Sequence, residues 1–340
     1  MPKTDSITND DFKNHRLTYE VLPVEIIDYV GSIHIRDSLA YFTNMTGYEM
    51  ISIYDLNNNK RLGAAIKKGR GPNELAGFVW RLQMNDHQNL ATVFDGEGNM
   101  VMTFPLDVIT RVAHGDTNRV FTPYSKFEPK RIQTIIAIDT NIFVALNTHR
   151  FDATVDHRFT FYDREGNIVS EKGSFYKTPE MKFPDDLNSF AFYGGLICRY
   201  DGKRIVVFNG ATDQLEIYDD QADLIKLVKG PDYFVPDIVR IDKNKTTRIS
   251  LGEKNRDSYL DSKAKEKSFW AVYSGHNSHT QGMENKETTI LSFDWDGKPL
   301  DKYIIPAKIT NFDVDEANGL LYGIIMTDEG EQKIIKAKYR

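Results

Sequence analysis

Six apolar segments of matching length recur along this chain, and they constrain its fold more than any other feature. They are LAYFTN (39–44), LATVFD (90–95), IFVALN (142–147), RIVVFN (204–209), FWAVYS (269–274) and YGIIMT (322–327), each closing on a polar residue. Their last positions are separated by 51, 52, 62, 65 and 53 residues, so one period spans the chain. A second strand-like segment follows each, often ending in an aromatic and an acid: MISIYD, VMTFPL, RFTFYD, QLEIYD, ILSFDW and IIKAKY. Turn residues come next, as in LNNN, REGN and DGKP, and then a third strand; another strand precedes each apolar segment. Four short strands per repeat joined by hairpins make a blade of a β-propeller. The expectation is an all-β fold over 1–340 as one domain: a six-bladed propeller with four-stranded antiparallel blades. Blades covered on both faces need not alternate apolar with polar residues, which suits LATVF and RIVVF.

The last repeat runs out of chain after three strands, which would leave an open edge. LTYEVL (17–22) precedes the first repeat and is expected to join the last blade and close the ring, with residues 1–16 poorly ordered.

Charge narrows the function classes. Lys plus Arg is 43 against 49 for Asp plus Glu, a net of −6, which offers no footing for nucleic acid. No apolar run reaches about 18 residues, so no membrane-spanning helix is expected. The polar start MPKTDSITNDDFKNHR has no secretory apolar segment, pointing to a cytoplasmic protein or a missing leader. The lone Cys198, inside GGLICRY, reads as a small buried hydrophobe. A monomer is expected.

The stretch KKGRGPNEL (67–75) invites a phosphate-loop reading, but it lacks G-x-x-x-x-G-K-[ST], and Pro72 removes an amide donor. In a propeller it would cross from the rim of blade one to the axis of blade two, Gly69 and Gly71 allowing unusual dihedrals. Such crossings and the loops after each apolar segment share one face, around the central channel where a propeller ligand is expected. Candidate ligand contacts there are Arg70, Asn73 and Glu74, with His149, Arg150, His276, Asn277 and His279 from the two long loops NTHRFDATVDH and SGHNSHTQGMENKE.

Equivalent strand ends place Asn44, Asp95, Asn147 and Asn209 on that face, beside Ser274 and Thr327. Such oxygen ligands could hold Ca2+, as in lactone-hydrolysing propellers of the gluconolactonase and regucalcin group. No cofactor is expected on the leading reading, and no G-x-S-x-G or other nucleophile motif is present.

GRGPNEL together with SYLDSKAKEKSFWAVYSGHN, ILSFDWDGKPLDKYIIP and ITNFDVDEANGLLYGI resembles the TolB-like six-bladed propellers common in Bacteroidetes, relatives of NHL-repeat propellers. The resemblance implies the same fold and, since members are usually exported and often lipoproteins, a cell-envelope location. It supplies no catalytic residues, and the start MPKTDSITNDDFKNHR is read as showing neither the leader nor the lipobox cysteine of such members. The leading expectation is a non-catalytic binding propeller for a polar small ligand, a sugar or peptide, or for a protein partner; the alternative is a calcium-dependent lactonase.

Overall fold

The computed structural model describes residues 3–71, 74–95, 100–113, 125–129, 132–147, 156–243, 246–277 and 286–340. Six sheets of four or five strands follow one another along the chain, their antiparallel strands added in sequence order, with a separate two-stranded hairpin between the fourth and fifth. Blade 1 comprises Val30–Arg36, Leu39–Asn44, Glu49–Asp55 and Lys60–Lys68, with Glu74–Leu75 as a short fifth strand. Blade 2 is Val79–Asn85, Leu90–Asp95, Met100–Pro105 and Ser125–Phe127; blade 3 is Ile132–Ala137, Ile142–Asn147, Phe159–Asp163 and Ile168–Lys172. Blade 4 is Gly194–Cys198, Ile205–Asn209, Gln214–Tyr218 and Leu224–Lys229. Blade 5 is Tyr259–Ala264, Ser268–Tyr273, Thr288–Asp294 and Pro299–Ile305, and blade 6 begins with Ile309–Asp315, Leu320–Met326 and Gln332–Lys338. The six-bladed propeller read from the repeat is the fold.

The core is six seams rather than one centre. Each seam packs the facing side chains of two neighbouring blades: Ile53, Val93 and Phe104 between blades 1 and 2, Phe94 and Phe143 between 2 and 3, Leu146 and Val207 between 3 and 4. Phe208 and Phe269 fill the seam between 4 and 5, Trp270 and Ile335 that between 5 and 6, and Phe42 and Ile324 close the ring between 6 and 1. With both faces covered, the second strands are buried at every position in Leu90–Asp95, Ile205–Asn209 and Ser268–Tyr273.

The acid that closes the third strand has a turn role. Asp55, Asp163, Asp219 and Asp294 each accept two backbone N–H bonds with Oδ1, from residues 57 and 58, 165 and 167, 221 and 223, and 296 and 298. Asn58 and Asn167 add side-chain hydrogen bonds that lower the carboxyl pKa of Asp55 and Asp163.

The N-terminal segment closes the ring and does more. Strand β3 (Tyr19–Val21) pairs antiparallel with Gln332–Lys338 and completes blade 6. Upstream, where poor order is expected from the sequence, β1 (Lys3–Ser6) and β2 (Lys13–Arg16) add parallel fifth strands outside blades 4 and 5. The segment is thus a belt over three consecutive blades. Between its polar strands single apolar residues turn inward: Ile7 and Phe12 enter the 4/5 seam, Leu17 the 5/6 seam, and Leu22 and Val24 the 6/1 seam. Gln332 adds a side-chain clamp at the closure, donating to Val30 O at 3.0 Å and accepting from Val30 N at 2.7 Å.

Candidate functional site

The first strand of each blade faces the axis, and together these strands enclose a channel cavity of about 430 Å³. It extends from Gly31 and Trp80 at one end to Asp86, His87 and Tyr200 at the other. At that second end His87 stacks on Tyr200 with centroids 4.0 Å apart, and Arg36 pairs with Asp86.

Four cations, Arg36, Arg81, Lys263 and Lys265, and four carboxylates, Asp86, Asp261, Glu266 and Asp313, line it. Asp313 is saturated: Oδ1 meets Lys265 Nζ at 2.7 Å and accepts from Val314 N at 2.8 Å, while Oδ2 accepts from Ile35 N at 2.6 Å. Asp261 is not. Its Oδ1 accepts from Ser262 N at 2.8 Å; its buried Oδ2 has no hydrogen-bond partner among the described residues and lies 3.6 Å from Lys263 Nζ. Arg81 donates to Leu196 O, and enclosure in the ring lowers its pKa to about 10 against the opposing pull of Asp261. Glu266 is exposed on the same lining, so its charge and that of Asp261 balance Arg81 and Lys263.

His34 reports that field. Burial, followed by the nearby charges of Lys263, Lys265 and Arg81, holds its imidazole well below the ordinary value of 6.5. Near neutral pH it is uncharged, with Nε2 3.2 Å from Ser32 Oγ. The unfolded chain protonates this histidine below 6.5 and the folded chain does not, so the unfolded state binds more protons and stability falls as the solution is acidified. His34→Gln is expected to flatten urea-denaturation stability between about pH 6.5 and pH 5, removing a slope of at most about 1.4 kcal/mol per pH unit. An unchanged slope would show that His34 is charged in the folded protein.

The loop-face candidates serve the loops. Lys67–Phe78 does not cross directly to the axis: Glu74–Leu75 first pairs in parallel with Lys67–Lys68 at the rim of blade 1. Glu74 Oε2 accepts the N–H of Gly71 at 2.9 Å, and Lys126 Nζ donates to Gly71 O at 3.0 Å. Neither Gly69 nor Gly71 has a positive φ. A Cβ on Gly69 would sit 2.0 Å from Glu74 Oε2, so these glycines make room for a carboxylate rather than supply unusual dihedrals. Arg70 is exposed. On blade 5, His276 O accepts from Asp257 N at 2.9 Å and Asn277 Nδ2 donates to Glu253 O at 2.7 Å, fastening two loops together. None of Arg70, Glu74, His276 and Asn277 lines the channel cavity. Asn73, His149, Arg150 and His279 lie outside the described residues.

The strand-end asparagines also have local roles. Asn44 donates to Glu49 O and accepts from Ser52 Oγ; Asn147 donates to His157 O and accepts from Thr160 Oγ1. Asn209 donates to Gln214 O and accepts from Arg158 Nη2, and Asp95 Oδ2 accepts from Gly77 N at 2.7 Å. One device, an amide bridging the second and third strands, thus recurs in blades 1, 3 and 4. Among the described residues no three His, Cys, Asp or Glu side chains cluster as metal ligands would. Cys198 is buried, its thiol pushed up to about 12 by burial.

The channel residues escape a search for loop motifs because they sit singly within strands. Their signal is alternation: Ser32, His34 and Arg36; Arg81 and Gln83; Asp261, Lys263 and Lys265; Asn311 and Asp313 recur two apart in first strands, as residues on one side of a strand do.

A sequence profile of the family described as TolB-like 6-blade propeller-like matches residues 13–317. Among solved structures, one from Bacteroides fragilis, described as a candidate exported protein, aligns over 100% of both chains with TM-score 0.56 and 11% identity. A duf4221 family member from Bacteroides vulgatus aligns over 96% of each chain with TM-score 0.54 and 13% identity. At these identities the likeness concerns the fold alone. No curated protein matches the chain.

Proposed function

Since the chain belongs to the TolB-like six-bladed propeller family, we propose that it is a non-catalytic binding protein that takes a small polar ligand into its central channel. One observation carries this reading: an axial cavity of about 430 Å³ lined by polar and charged side chains, Arg81, Gln83, Asp261 and Lys263 among them. That volume falls within the range of about 300–1,000 Å³ of small-molecule sites, which combine an enclosing wall with a few convergent polar groups. The calcium-dependent lactonase alternative has less support, because the Asn44, Asn147 and Asn209 side chains are engaged in bridging strands. The likeness to a Bacteroides fragilis protein described as a candidate for export favours an envelope location. Among the described residues no helix is long and apolar enough to cross a membrane.

The test is thermal unfolding with a panel of monosaccharides, sugar acids and amino acids. At least one is expected to raise the midpoint of the wild-type protein, as a ligand that binds only the folded state must. Ala264→Trp, which puts a large ring on an exposed channel-lining position, is expected to abolish that rise. No response from the wild type, or an equal response from the plugged variant, would overturn the channel as the site.

A further inference from the structure

One irregularity recurs around the channel mouth. In five of the six first strands the pairing register shifts by one residue at the same place, leaving Gly31, Trp80, Gln133, Leu260 and Thr310 as extra residues outside the ladder. Blade 4 pairs there without a shift. Such bulges interrupt regular pairing and re-aim a side chain, and they are over-represented beside functional sites. Two of the five extra residues, Gly31 and Trp80, line the cavity from neighbouring blades. Trp80 is 57% exposed whereas Trp270 and Trp295 are buried, so the bulge of blade 2 holds the accessible indole open at the mouth. Phe78 supports it, with ring centroids 5.6 Å apart and planes tilted by 39°. Gly31 makes room at the same rim: a Cβ there would lie 2.8 Å from Met45 Cγ, so the exposed Met45 packs against backbone beside the channel.

Just inside this rim, the residue after the bulge also lines the cavity in four blades: Ser32, Arg81, Asp261 and Asn311. A hydroxyl, a guanidinium, a carboxylate and an amide sum to no net charge. The same balance holds for the whole lining, four cations against four carboxylates, with Lys265 committed to Asp313 and Arg36 to Asp86. A ligand with net charge would give up its hydration here for no matching surplus on the wall. An uncharged ligand gives up less. The Asn311 amide, with two donors and an acceptor, is engaged by none of the described residues. Resting on the channel-binding reading above, we propose that the occupant is a neutral saccharide ring stacked on Trp80, with its hydroxyls reaching Asn311 and Arg81. A pyranose has the two surfaces this site calls for: a face of C–H groups that packs on the negative face of an aromatic ring, and an edge of hydroxyls that donate and accept. The cavity, near the small end of the usual range, suits a single ring rather than a chain of them.

The experiment is titration of the full chain with methyl glucoside, methyl galactoside and N-acetylglucosamine, followed by tryptophan fluorescence and by calorimetry, with sorbitol and glucuronate for comparison. At least one of the three neutral rings is expected to bind with a saturable change in emission, because Trp80 is the tryptophan a ligand can reach. Sorbitol, with hydroxyls but no ring face, and glucuronate, with an added charge, are each expected to bind about ten-fold more weakly than that sugar. By calorimetry, Trp80→Ala is expected to weaken the sugar about ten-fold or more, Trp80→Phe to keep part of the affinity, and Asn311→Ala to weaken it about five-fold. Circular dichroism and the unfolding midpoint without ligand establish that each variant is folded, and the wild-type emission keeps the test decisive should Trp80→Ala fail to fold. Heat of binding without a change in emission, unchanged affinity in folded Trp80→Ala, or sorbitol or glucuronate binding as tightly as the sugars would overturn the proposal. So would a wild-type protein that ignores all three sugars yet is stabilised by another compound whose effect is lost in Ala264→Trp. That last result would leave the channel-binding reading standing, whereas loss of every response would remove both.

Discussion

A chain lacking residues 1–22 is expected to unfold at markedly lower urea concentration than the full protein, with a loss of more than about 3 kcal/mol. The reason lies in where the belt's few apolar side chains go. Ile7 and Phe12 occupy the seam between blades 4 and 5, Leu17 that between 5 and 6, and Leu22 that between 6 and 1. All are nearly inaccessible to solvent, and each is worth about 1.5–3 kcal/mol of burial before the cost of ordering the segment is subtracted. Against a typical total stability of about 5–15 kcal/mol, that is a large share. The deletion also strips blade 6 of its fourth strand and bares an edge whose carbonyls and amides β3 now satisfies. A single substitution isolates the packing component. Phe12→Ala removes a ring set edge-on to Phe293 at 5.4 Å and is expected to cost about 3–5 kcal/mol. Lys13→Ala, at an exposed position whose pairing is made by the backbone, is expected to cost less than about 0.5 kcal/mol. If the truncated chain unfolds at the same denaturant concentration as the full one, the belt is an ornament on a ring that closes without it.

The belt also shows where sequence reasoning reaches its limit. Six blades were legible because burial on both faces forces long apolar runs, and those runs repeat. Tyr19–Val21 was legible because the last repeat lacks a strand and LTYEVL looks like one. KTDS and KNHR do not look like strands: they are polar and attach through backbone hydrogen bonds, which no side-chain pattern records. Ile7 and Phe12, isolated among polar residues, have no period to betray their burial. The channel was hidden differently. Arg81, Asp261 and Lys263 were readable as strand residues, but only ring closure brings blades 2 and 5 to a common axis. The polar strand ends were visible, yet the hydroxyls that occupy Asn44 and Asn147, on Ser52 and Thr160, come from the next strand and become neighbours only through pairing.

Arg158 is the sharpest case of a residue whose place its sequence context does not disclose, and breaking its partnership is expected to cost about 3–5 kcal/mol. RFTFYD reads only as a strand; in the structure its first residue, Arg158, and Glu216 are both fully buried, with Nε 3.2 Å from Oε2. Every polar end is met. Arg158 Nη1 donates to Phe192 O at 2.6 Å and Nη2 to Asn209 Oδ1 at 2.9 Å, while Tyr218 and Asn209 donate to the two Glu216 oxygens at 2.6 and 3.0 Å. The guanidinium also lies over the rings of Phe175 and Phe192 at 5.1 and 5.8 Å. Blade 3 is thereby tied to blade 4 and to the segment carrying the short helix Asn188–Ala191. Arg158→Met leaves the Glu216 charge buried without its counter-ion and Phe192 O without its donor; Glu216→Leu strands the guanidinium. Replacing both, Arg158→Met with Glu216→Leu, leaves no lone charge, so its cost is expected to fall well below the sum of the single changes. Urea denaturation of the four proteins measures the coupling. A cost for Arg158→Met under about 1 kcal/mol would mean that water reaches this pair. A full cost accompanied by faster proteolysis within residues 173–193 would show that the ion pair holds the insertion to the ring as well as blade to blade, since the guanidinium reaches that segment through Phe192 O and the Phe175 and Phe192 rings.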